Sequence, residues 1–195
     1  MTLVADPQAA DPLAPDPLAP DPLAAYPDLA GLYAYWEGKR GAAPIPPWSA
    51  FDPVEMRAWL GRLNVVGVDR APDGGLGFVY RIFGTEIAEM LGRELTGRPV
   101  GDGDPAAAGE LVGDYRDVVL DAAPILREHN VSVRSRVLRH VRLMLPVGEG
   151  GATVTRVLVG IRPLWRTQRS PLVSALRPAI DPDTMLGAGR LRAVG

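Results

Sequence analysis

The sequence predicts an α+β domain, and three features carry that reading. Short β-rich segments alternate with helical ones in the order strand, strand, short helices, long helix, three strands, with further helices ahead of the first strand. Glycine- and proline-rich turns separate them at strand and helix boundaries. The chain of 195 residues, 47% of them hydrophobic, is long enough for one domain with a proper core plus extensions at both ends.

Residues 6–25 form a period-five repeat, DPQAA, DPLAP, DPLAP, DPLAA. Asp-Pro at each start blocks helix continuation and favours extended backbone. Leu13, Leu18 and Leu23 recur on neither a helix face nor a strand face, so residues 1–27 read as a disordered tail and a tether, with a multivalent docking tail as the alternative. Deleting residues 1–25 is expected to leave the fold intact.

From Asp28, placed as an N-cap, Leu29, Leu32, Tyr33 and Trp36 mark one face of a leading helix that ends near Gly38 and Gly41. Asp52-Pro53 opens a second helix through Met56, Trp59 and Leu60 to Gly61. Residues 63–69 read as the first strand, 71–77 as a hairpin connection, and 78–83 as the second strand. Gly84 ends that strand, Thr85 stands as a helix N-cap, and Gly92 closes the short helix that carries Ile87, Met90 and Leu91. Leu111, Val112, Tyr115, Val118, Val119 and Ala122 line one face of a long helix that stops before Pro124. Strands are expected at about 130–135, 141–147 and 153–164, the last two joined by Gly148-Glu149-Gly150-Gly151. The domain so defined spans 28–165, and residues 166–195 read as a flexible C-terminal tail.

Within this order, Tyr80, Arg81, Gly84 and Thr85 form a Y-R-x-x-G-T strand end, followed by Gly92, Leu95, Thr96, Gly97 and Arg98 as G-x-x-L-T-G-R. The pairing resembles a PAS-type family of small alphaproteobacterial proteins, over roughly Leu29 to Leu164. The resemblance implies a PAS-like, five-stranded antiparallel sheet with helices on one face and leading helices before it. It also implies a non-catalytic sensory or adaptor role that acts through a protein partner. A leading helix of this kind often packs on the sheet or mediates a homodimer, which makes Leu29, Leu32, Tyr33 and Trp36 the expected interaction surface.

A ligand pocket, where one exists, falls between the sheet and the helices of the central motif. Phe78, Tyr80 and Ile82 share one strand face; Ile87, Leu91 and Leu95 face them, with Tyr115 and Val119 from the long helix. The same stripe also reads as plain core, with the tyrosine hydroxyls sustaining the ligand alternative. Nothing in the sequence names a cofactor.

Composition excludes several chemistries. Cysteine is absent, which removes disulfides, thiol nucleophiles, thiolate metal sites and flavin–cysteinyl photochemistry. Phosphate-binding-loop, H-E-x-x-H, G-x-S-x-G and EF-hand patterns are missing, and no carboxylate pair stands out as catalytic. His129 is expected in a loop, solvated rather than haem-ligating. Arg134, Arg136, Arg139 and Arg142 surround His140 and alternate with Val131, Val133, Val137, Val141, Leu143 and Leu145, which reads as one wet and one buried sheet face; Arg139 breaks the alternation and sets a turn near Ser135 to Arg139. Net charge is −2, and no aromatics interleave the arginines, so nucleic acid is not an expected partner. No apolar run reaches membrane-spanning length and no secretory leader is evident, so the expected location is cytoplasmic without membrane insertion. Two other readings stay open: a ligand-free structural interaction module, and a small pocket enzyme.

Overall fold

A computed structural model describes residues 21–103, 105, 107–133, 136–164 and 192–194. Five antiparallel strands build the sheet: β1 (Leu63–Arg70), β2 (Leu76–Ile82), β3 (Ile125–Val133), β4 (Arg136–Val147) and β5 (Arg156–Leu164). A sixth, β6 (Arg192–Val194), pairs parallel to β3, and the spatial order is β2-β1-β5-β4-β3-β6. Residue 165, residues 166–191 and 195 of the expected C-terminal tail, and residues 1–20 of the expected N-terminal tail lie outside the described residues.

Alternation along the strands sends side chains to two faces. On the near face lie Val66, Phe78, Tyr80, Val157, Val159, Ile161, Met144 and Ile125, covered by α2 (Thr85–Leu91) and α3 (Ala108–Asp121). On the far face lie Leu63, Val65, Leu126, Val141, Leu143, Leu145 and Leu158, covered by α1 (Pro27–Arg40). The sheet is therefore sandwiched, with its leading helix on the face opposite the other two.

This placement corrects the expected interaction surface. Leu29, Leu32 and Trp36 are buried against the far face, and only Tyr33 of the four is part-exposed, stacked on Trp36. The physical reason lies in β5: a Cβ on Gly160 would sit 2.6 Å from Leu32 Cδ2 and 3.0 Å from Leu29 Cδ2, so a bare backbone there lets the helix approach. Trp36 Nε1 donates to the Pro146 carbonyl at 2.8 Å. Asp28 is not an N-cap; it lies in the first helical turn, where its carboxylate meets Arg162 of β5 at 2.7 Å.

The end of the N-terminal repeat is ordered. Asp21 Oδ1 accepts from the Leu23 amide at 2.9 Å, Pro22–Ala25 form a 3-10 turn, and Leu23 and Tyr26 are buried in the far-face core. The ordered chain therefore begins earlier than residue 28, and removing residues 1–25 would strip core. Residues 55–62 form two 3-10 turns, Glu55–Ala58 and Leu60–Arg62, rather than the expected helix. Gly84, not Thr85, occupies the N-cap position of α2, while Gly92 ends it in the left-handed conformation at φ 69°.

Candidate functional site

The Y-R-x-x-G-T and L-T-G-R segments meet because the second is laid along the open edge of β2. Tyr80 N–H donates to the Arg98 carbonyl at 3.0 Å, Gly97 N–H to the Tyr80 carbonyl at 2.7 Å, and Val100 N–H to the Phe78 carbonyl at 2.9 Å. Gly97 holds φ 79° at the turn that makes this return. Asn64, buried in β1, accepts the Gly84 N–H at 2.9 Å and pins the strand-to-helix corner. Arg81 bridges to Asp69 on the neighbouring strand at 2.9 Å, in solvent.

Between the near face and α2 and α3 lies a cavity with about 70 Å³ open to the centres of water-sized molecules. A single water needs roughly 10–15 Å³ by that measure, so the space suits several waters or one small organic molecule. Tyr80, Ile87, Leu91, Leu95 and Tyr115 all line it, together with Phe83 and Met90. Val119 belongs to the same core but not to the lining.

Ile82 is a correction. It is 42% exposed and turned away from the cavity, because β2 bulges: Val66 pairs with Tyr80 but Val65 pairs with Ile82, leaving Arg81 as an extra residue. The inserted residue reverses the alternation, and Phe83 takes the inward place, its ring edge-on to Tyr80 at 5.0 Å.

The opposite wall is polar, and sequence reasoning missed it. His129 lies in β3, which starts at Ile125, and is buried rather than solvated in a loop. His140 and Arg142 of β4 are buried too, so that part of the basic strand faces the interior. Asp114, 1% exposed on α3, gathers these groups. Its Oδ2 lies 2.5 Å from Arg142 Nη2 and 2.7 Å from His129 Nε2, and its Oδ1 lies 2.5 Å from Arg127 Nη1. His129 and His140 face each other across the strand pair with rings stacked 6.0 Å apart.

One signal for this cluster was present in the sequence. Asp114 sits beside Tyr115 on the stripe shared with Leu111 and Val118, where a carboxylate demands a buried partner. Arg142 and His140 share their strand face with Met144, which a wet face would not favour.

Burial governs the titration here. It holds the Tyr115 hydroxyl far above the usual tyrosine range, reinforced by the neighbouring Tyr80, and raises Tyr80 as well. His140 is pushed down to about 3, first by burial and then by the neighbouring Arg142 and His129. The site thus offers a neutral imidazole, two un-ionised phenols and a buried guanidinium beside an apolar pocket. Among the described residues no group of three or more histidine, cysteine or acidic side chains is arranged to hold a metal ion.

A five-stranded antiparallel sheet with helices packed over an internal cavity is the architecture of a PAS fold, and family comparison agrees. Residues 25–161 match the PAS domain family, and the chain belongs to that family. Similar solved structures include the LOV protein of Rhodobacter sphaeroides, at 16% identity over 62% of this chain and 71% of that one, with a TM-score of 0.43. The PAS domain of BvgS from Bordetella pertussis matches at 17% identity over 65% of this chain and 95% of that one, TM-score 0.43. A PAS domain from Colwellia psychrerythraea matches at 15% identity over 58% and 98%, TM-score 0.39. No curated protein matches the chain. No helix among the described residues is long and apolar enough to cross a membrane.

Proposed function

We propose that this PAS domain is a non-catalytic cytoplasmic sensor that holds a small ligand in the cavity and passes its state to a protein partner. The observation that carries the reading is the cavity itself: apolar on the α2 side, polar on the β3–β4 side, and walled by a sheet whose other face bears α1. Strand β4 connects the two compartments, with Arg142 and Met144 turned inward and Leu143 and Leu145 turned toward α1. A ligand that shifts β4 by contact with Arg142 therefore bears on the seat of α1.

The strip of far face that α1 leaves open is our candidate for the partner contact. Ile82 emerges there beside Trp48, Arg81 and Arg156, in a groove of about 400 Å³. A homodimer through this strip is one form such a contact takes. The catalytic alternative has less support: of the two imidazoles lining the cavity, His140 is a poor proton acceptor near neutral pH and His129 is engaged by Asp114 and Arg142.

The test is thermal denaturation of the full chain across a panel of cellular metabolites, with native mass spectrometry of the freshly purified protein. The sensor reading predicts at least one compound that raises the melting temperature in a saturable way. A flat response across the panel, together with a bare mass, favours the ligand-free structural module.

A further inference from the structure

We propose that the cavity takes a small amphipathic carboxylate, its head on Arg142 and His140 and its apolar stem against Phe83, Ile87 and Met90. This rests on the sensor reading above and names the class of its ligand.

The charge balance points there first. Two guanidiniums, Arg127 and Arg142, converge on the single buried carboxylate of Asp114. Glu110 adds a second carboxylate only at the rim, 62% exposed and 3.4 Å from His129 Nδ1. An uncompensated buried cation is costly, and an anion beside it relieves that cost. Arg142 is 3% exposed, so solvent does not serve as the counter-charge.

Unmet hydrogen bonds point the same way. Arg142 engages Asp114 and His129 through Nη2, but its Nε has no partner, and neither does His140 Nδ1. Both side chains line the cavity and both are buried. A carboxylate presents two oxygens in one plane, suited to a guanidinium edge on one side and an imidazole N–H on the other. A neutral hydroxyl or amide can reach both groups but brings no negative charge to set against the two guanidiniums.

Size and polarity then set the stem. Away from Arg142, the two histidines, Asn64 and Asn130 the lining is aliphatic and aromatic, and the free volume admits a short chain or a single ring but no extended cofactor. Tyr80 and Tyr115, both un-ionised, bound the cavity at the junction of its two halves without adding negative charge.

Isothermal titration of the full chain with hexanoate and benzoate, against hexanamide and hexanol, tests the assignment. Saturable binding of a carboxylate, at least about tenfold tighter than its neutral analogue, is the expected result. Arg142→Met should abolish that preference. Because this variant also leaves Asp114 with fewer partners, Met90→Trp serves as a second probe: it fills the apolar half, leaves the ionic cluster in place and should remove carboxylate binding. Equal or tighter binding of the neutral analogues overturns the carboxylate assignment while the sensor reading stands. Binding of none of the four overturns the assignment, and with a flat metabolite panel it removes the sensor reading as well.

Discussion

Lowering the pH should destabilise this protein through one identifiable side chain, His140. Its ring is buried opposite His129 and beside Arg142, with Pro163 across the other strand edge. In the unfolded chain an imidazole titrates at about 6.5; in the folded protein it is held at about 3. Between those values the unfolded chain binds a proton that the folded one refuses. The stabilisation is therefore complete above pH ~6.5 and declines as the pH falls toward ~3. At pH ~5 the imbalance amounts to about 1.5 pK units, or about 2 kcal/mol. Urea unfolding of the wild type and His140→Gln, each at pH ~7.5 and ~5, isolates this contribution from the carboxylates that titrate in both proteins. The wild type should lose about 2 kcal/mol more than the variant, roughly 1 M in urea midpoint. Parallel losses, within about 0.5 kcal/mol, would refute the buried neutral imidazole and the polar wall built around it.

Three further perturbations address other parts of the account. Asp114→Asn leaves the buried Arg142 and the part-buried Arg127 without their shared carboxylate and should cost about 3–5 kcal/mol in chemical denaturation; adding Arg142→Met should recover part of it. Gly160→Ala places a methyl into Leu32 and Leu29 and should cost about 1–3 kcal/mol, whereas a neutral result would mean that α1 does not sit on its own sheet. Leu23→Ala should lower stability by about 2–4 kcal/mol, measured by thermal and urea unfolding, because the last repeat unit is core.

The strand and helix order was legible because alternation and helical periodicity survive in this sequence, and the glycines at 84, 92 and 97 mark corners that the backbone does make. Most of the cavity's apolar wall was legible for the same reason. Ile82 was misplaced because a bulge is a two-strand property: the extra residue at Arg81 is visible only against β1. The destination of α1 was open because an apolar stripe says that a face is buried, not against what; Gly160, far away in sequence, decides it. The polar wall was hidden by the habit of reading alternating arginines as solvated. With helices on both faces of the sheet, a charged residue in a central strand has to turn inward, and the partner that makes this tolerable lies on α3.

The most direct test of the cavity as a ligand site is an amide-resolved NMR titration of the full chain, with hexanoate in one series and hexanol in another. The account predicts saturable shifts for hexanoate centred on Tyr80, Gly84, Leu95, Tyr115, His129 and Arg142, with the Trp36 indole N–H responding through β4. Shifts confined to surface residues in both series would contradict it.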